Sequence, residues 1–228
     1  MNIVDRASLA ATLDVVNEAL FFGRELSQAA RQKAAAWIAG RQGGPGSYTG
    51  LFAPTARDFE DGMRLFTGER LATRAGMAHV LGEESCRALI LLGASRGTVR
   101  DALAAAAVEM TRKLRRGRDR KTGTYCCGKC TAALWRHLAA GGFAEADPER
   151  FLAAGLKTLR AHRLGGGKWR RFPLWYTLLA LSEMDLPGAK VEMRYAAPAC
   201  ERLRKRSAED DKFARRRRAL AERVLGKA

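Results

Sequence analysis

Apolar residues recur along this chain at helical spacing. Leu9, Leu13, Val16 and Leu20 share one face of a first helix. Residues 30–38 form a second, closing at Gly40 and the turn Gly43-Gly44-Pro45-Gly46. Thr55 and Asp58 have the spacing of a capping box and open the next helix. Residues 77–81 and 86–92 read as two short helices around Gly82-Glu83-Glu84-Ser85, and Thr98 with Asp101 opens a long helix that runs into a basic stretch. Asp147-Pro148 is an N-cap followed by proline at the first helical position. Ser207 with Asp210 caps the last helix, and residues 200–228 are read as a basic C-terminal helix. No segment alternates apolar and polar residues over strand length, so the expected class is all-α.

The predicted elements repeat in order: a helix, a basic glycine-rich corner, an aromatic residue, then a second apolar helix. The corners around Tyr48, Tyr125 and Trp169 share this form, and a weaker turn at Ser85 gives steps of 37, 40 and 44 residues. A period near 40 in a helical chain means stacked helical hairpins, about five of them here, in a single domain over residues 1–228.

Two segments carry a likeness to a known family. One runs from Gly123-Thr124-Tyr125 to Thr131-Ala132-Ala133-Leu134, and the other from Gly167-Lys168-Trp169 through Phe172-Pro173-Leu174-Trp175-Tyr176 to Glu183. With the looser Tyr48 corner, residues 30–185 resemble the prenyltransferase and squalene-oxidase repeat of α/α-toroid proteins, the group of terpenoid cyclases and protein prenyltransferases. The resemblance implies a toroid or an open arc whose inner helices line a cavity, with Asp58, Cys126, Cys130 and Tyr176 near it. It implies a degenerate or non-catalytic member that binds a small apolar or anionic ligand, walled by Tyr125, Trp135, Trp175 and Tyr176. Taken singly, each of these aromatics is better explained by plain core packing.

Charge adds a second reading. The net charge is +17 and its distribution is uneven. Residues 1–110 hold 12 Lys/Arg and 12 Asp/Glu, whereas 111–228 hold 29 and 12, so the whole excess lies in the second half. Such asymmetry points to an anionic partner. If the hairpins stack, Arg115, Arg116, Arg118, Arg163, Lys168 and Arg170 fall on one edge, where a nucleic-acid backbone fits. No base-reading motif accompanies them.

The stretch Thr122-Gly123-Thr124-Tyr125-Cys126-Cys127-Gly128-Lys129-Cys130 poses two chemical questions. Gly123 and Gly128-Lys129 have phosphate-loop spacing, but Cys130 stands where that loop needs a hydroxyl and no strand precedes it. A nucleotide site is therefore not expected. Cys127 and Cys130 are three apart and Cys126 and Cys130 four apart, and on a helix either pair could share a face; the larger group is Cys126 and Cys130 with His137, seven residues past Cys130. That trio is the best cluster for zinc, with a fourth ligand to come from His79, His162 or Cys200. The competing reading is that small cysteines pack where helices approach closely.

The acidic run Asp58-Phe59-Glu60-Asp61 partly matches the acid motif of terpene cyclases, departing from it at Glu60. As an isoprenoid-modifying or cyclising enzyme, the protein would use Asp58 and Asp61 as acids or metal ligands. Carboxylates also favour a first helical turn through the helix dipole alone. No apolar run reaches the roughly 18 residues of a membrane span. Five cysteines and no secretory leader lead to an expected reducing, cytoplasmic setting.

Overall fold

The computed structural model describes residues 3–93, 96–115, 119–142, 147–205 and 211–227. It is mainly helical, with two short antiparallel strand pairs, as the all-α class requires. The chain divides into two compact units: residues 1–64, 70–117 and 140–146 form the first, and 65–69, 118–139 and 147–228 the second.

The first unit contains α1 (Leu9–Phe21), α2 (Gln28–Ala39), α3 (Ala56–Asp61), β1 (Met63–Arg64) paired with β2 (Arg70–Leu71), α4 (Arg74–Leu91) and α5 (Gly97–Arg115). Ser8 and Ser27 cap α1 and α2 by accepting from Ala11 N and Ala30 N, and α2 closes at Gly40. Helix α4 is the core element, buried from Met77 to Leu89 and packed on α1, α2 and α5.

This helix corrects the expected break at 82–85. Gly82 stands where a Cβ would lie 2.6 Å from the Leu51 Cβ, so its role is close packing rather than a turn. Glu84 and Arg87 after it point inward and are hydrogen-bonded there, whereas the buried Ser85 Oγ has no hydrogen-bond partner among the described residues. Asn17 Nδ2 donates to Glu84 Oε2 (3.1 Å) and Arg87 donates to Asn17 Oδ1 (2.7 Å). With Ser85 buried in mid-helix, the Ser85 corner is absent. The remaining corners differ in backbone: a lone bridge joins Gln42 to Phe52, and a β-hairpin forms at 163–169.

The second unit contains α6 (Asp119–Thr122), α7 (Gly128–Ala139), α8 (Pro148–Ala161), β3 (Arg163–Gly165) paired with β4 (Lys168–Trp169), α9 (Leu174–Ser182), α10 (Pro187–Arg204) and α11 (Lys212–Lys227). Asp147 caps α8 from its expected place, accepting from Arg150 N. Helix α9, apolar nearly all round and buried from Tyr176 to Ser182, packs on α7, α10 and α11. The single basic helix expected over 200–228 is instead the end of α10 followed by α11. Pro198 is accommodated inside α10 because it sits on an exposed face, where the hydrogen bond it forfeits opens to water. The Ser207–Asp210 cap lies outside the described residues; the Asp211 carboxylate accepts from Phe213 N and Ala214 N at the start of α11.

Glycine at 123 and 155 lets α8 approach the 122–127 corner. Gly123 has φ +61, and a Cβ on it would lie 2.1 Å from Gly155 N. Trp135 Nε1 donates to Gly123 O at 2.7 Å, closing the contact.

Candidate functional site

The corner before α7 delivers three sulfurs to the first turn of that helix. Thr131 fixes it: its hydroxyl accepts from Tyr125 N (2.8 Å) and donates to Cys127 O (2.7 Å). Gly128 lets α7 start against the 171–172 backbone, since a Cβ there would lie 2.2 Å from Arg171 O. Cys126 and Cys127 are exposed and Cys130 is buried. Cys126 Sγ and Cys130 Sγ lie within 4.8 Å of each other, and Cys130 N donates to Cys127 Sγ at 3.4 Å.

The three thiols hydrogen-bond to one another, and this sorts their protons. Cys127 is held well below the ordinary thiol range by donation from the Cys126 and Cys130 thiols, helped by the backbone N–H groups of Cys130 and Lys129. Cys126 is raised chiefly because it donates to Cys127. Cys130 is raised by its bonds to Cys126 and Cys127 and then by burial. One thiolate thus shares the protons of two neighbours. A soft dication among the sulfurs would replace those protons, so Cys126 and Cys130 can hold a metal ion, with Cys127 beside them.

The expected histidine partner is corrected. His137 is buried on α7 two turns beyond Cys130, about 10 Å along the axis at ~1.5 Å per residue, so the two cannot share an ion. His162 Nδ1 is 2.9 Å from Thr158 O, with its ring edge-on to Phe172. Cys200 is buried in α10, its thiol pushed up to about 11 by burial. His79 belongs to the first unit, where it stacks on Tyr48 (centroids 4.3 Å apart) with Nε2 3.2 Å from Glu83 Oε1.

Asp58 and Asp61 part company. Asp58 is buried, and its two oxygens accept from Ser8 Oγ (2.6 Å), Leu9 N and Ala10 N (both 3.1 Å), Thr55 N (2.7 Å) and Thr55 Oγ1 (3.0 Å). It therefore caps α3 and the start of α1 together, an arrangement that leaves it no open lone pair for acid chemistry. Asp61 is exposed and pairs with Arg57 (3.0 Å) on the same helix.

Of the aromatics expected around a cavity, Tyr125, Trp135 and Tyr176 are buried within the second unit and Trp175 is partly exposed. Trp135 stacks on Phe172 (5.9 Å), and the Arg136 guanidinium lies 5.7 Å from the Tyr176 ring. Arg136 is itself buried and grips Glu183 with two bonds (2.9 and 3.0 Å).

Of the expected cations, Arg116 and Arg118 lie outside the described residues, and Arg115 ends α5. Lys168 and Arg170 are exposed. Arg163 is engaged: it is bidentate on Glu192 (3.1 and 2.8 Å) and stacks over Tyr195 at 4.2 Å. Within the run 215–218, Arg216 is buried over the Phe66 ring at 4.1 Å and donates to Phe66 O.

Sequence reasoning noted the Cys127–Cys130 pair but preferred Cys126 and Cys130 with His137, leaving Cys127 out of the cluster. The Cys127-Gly128-Lys129-Cys130 spacing, with glycine at the second position, was the available signal. No family model matches the chain, and neither does any curated protein or solved structure.

Proposed function

We propose that the protein is a metal-binding helical protein whose centre is the thiol group Cys126, Cys127 and Cys130, with zinc as the ion. The observation that carries this is that the Cys126 and Cys130 sulfurs lie within 4.8 Å of each other at one helix start, with Cys127 Sγ beside them accepting from Cys130 N. Thiolates select soft or borderline ions, and zinc accepts them in tetrahedral geometry without redox demands. The ion would tie the Tyr125 corner to α7, with the exposed Cys126 and Cys127 marking the side from which it enters. A fourth position falls to water or to a donor of the same unit, His162 or Cys200. This reading is favoured over an apolar ligand pocket because Tyr125, Trp135 and Tyr176 spend their surfaces on protein contacts.

Cobalt substitution tests it. Cobalt added to reduced, metal-free protein should give thiolate-to-metal charge-transfer absorption that saturates at one ion per chain. Cys126→Ser and Cys130→Ser should each weaken uptake, and of His162→Ala and Cys200→Ser only the change at the true fourth ligand should shift the visible bands. Uptake should release about two protons at neutral pH and weaken as pH falls, because Cys126 and Cys130 hold theirs. A chain that takes up no cobalt, or whose uptake survives both cysteine changes, rules the proposal out.

A further inference from the structure

The β3–β4 hairpin is fastened to α10 by a layer of neutralised contacts. Glu192 is buried and receives the Arg163 guanidinium and Trp169 Nε1 (3.0 Å). Tyr195 accepts from Gly165 N (2.8 Å) and donates to Lys168 O (2.9 Å), and Arg202 donates to Gly166 O (2.6 Å). Gly167 permits this seat, since a Cβ there would lie 3.1 Å from Ala196 Cα. Arg170 N bonds back to His162 O at 2.8 Å.

Outside that layer the charge is not neutralised. Lys157, Arg160, Lys168, Arg170, Arg171 and Arg194 are exposed, and none joins an ion pair among the described residues. No acidic residue occurs anywhere in 151–182. Arg171 is held at φ +70, a conformation that arginine rarely adopts, with its carbonyl against Gly128. The fold thus fixes a rigid backbone from which several cations project.

We infer that the hairpin, with the exposed cations of α8 and α10 on either side of it in the chain, binds the phosphate backbone of nucleic acid without regard to base sequence. Four of the six cations are arginines, whose planar forks match phosphate oxygens. Leu164 is the one large exposed apolar side chain among the described residues of the second unit, whereas a membrane-surface element needs an apolar face. The aromatics here are committed elsewhere, Trp169 being buried on Glu192, so base stacking is not part of the reading.

The test uses the full chain and a labelled mixed-sequence single-stranded oligonucleotide, titrated across a salt series. Binding should weaken linearly in log–log form. The triple change Arg160→Glu, Lys168→Glu, Arg170→Glu should cost about tenfold or more in affinity and flatten the salt slope by about 2, at ~0.7 per lost phosphate contact. Arg6→Glu, Arg31→Glu and Arg100→Glu on the first unit change net charge equally and should leave affinity within about twofold, with circular dichroism confirming the fold of both variants. Equal loss in both triples would reduce the effect to net charge and overturn the site. Absence of binding at low salt would overturn it too, as would tighter binding to phosphatidylserine vesicles or polyglutamate with the same dependence on the hairpin cations.

Discussion

Asp58 shows how the surroundings of a residue decide its role. Its carboxylate gathers five donors from two helix starts, so Asp58→Ala should destabilise the protein by about 2–4 kcal/mol in urea unfolding. Asp61→Ala, which removes only an exposed pair, should stay within about 0.5 kcal/mol. Equal effects would mean that Asp58 is not the shared cap. The Thr55–Asp58 box was legible because both partners are local. The Ser8 end was not, because it closes over fifty residues of chain. Cys127 makes a second residue-level prediction. Its thiol is shifted down, so the thiolate persists as pH falls through the ordinary thiol range. In metal-free protein its alkylation rate should therefore stay nearly flat from about pH 8 to 6, where an ordinary thiol slows about tenfold per unit. A tenfold fall per unit at Cys127 would contradict the shared-proton arrangement.

At the scale of elements, small residues set which helices can meet. A Cβ on Gly128 would lie 2.2 Å from Arg171 O, and one on Gly155 would lie 2.6 Å from Trp135. Gly128→Ala and Gly155→Ala should each lower stability by about 2 kcal/mol or more, although alanine is the better helix former. Gly128→Ala should also move the first turn of α7 and so weaken cobalt uptake, whereas Gly155→Ala should spare uptake in the folded fraction. A neutral or stabilising result would mean that these approaches are looser than described. Glycine was the hardest residue to read in the sequence, because the same symbol marks a turn at Gly40, a left-handed corner at Gly123 and a packing contact at Gly82. The cap of α8 was legible because Asp147 acts on backbone three residues away, whereas the Ser8 and Ser27 caps of α1 and α2 went unread.

At the scale of the molecule, charge and chemistry fall in the same part of the chain. The basic excess belongs to residues 111–228, and the thiol centre and the cationic hairpin both belong to the second unit. The charge asymmetry was open to view in the sequence, but the division between structural and exposed arginines was not. Arg163, Arg136 and Arg216 look like their neighbours until Glu192, Glu183 and Phe66 are placed beside them. A bound ion stabilises only the folded chain, so zinc at about a hundredfold above its Kd should add about 2.7 kcal/mol, raising Tm by roughly 5–10 °C. Chelation should reverse the gain. The most direct check of the central claim is native mass spectrometry of reduced protein after zinc loading and buffer exchange. The thiol-centre account predicts one zinc per chain in the wild type and none in the Cys126→Ser, Cys130→Ser double variant. A metal-free wild type, or a double variant that still retains its zinc, would contradict it.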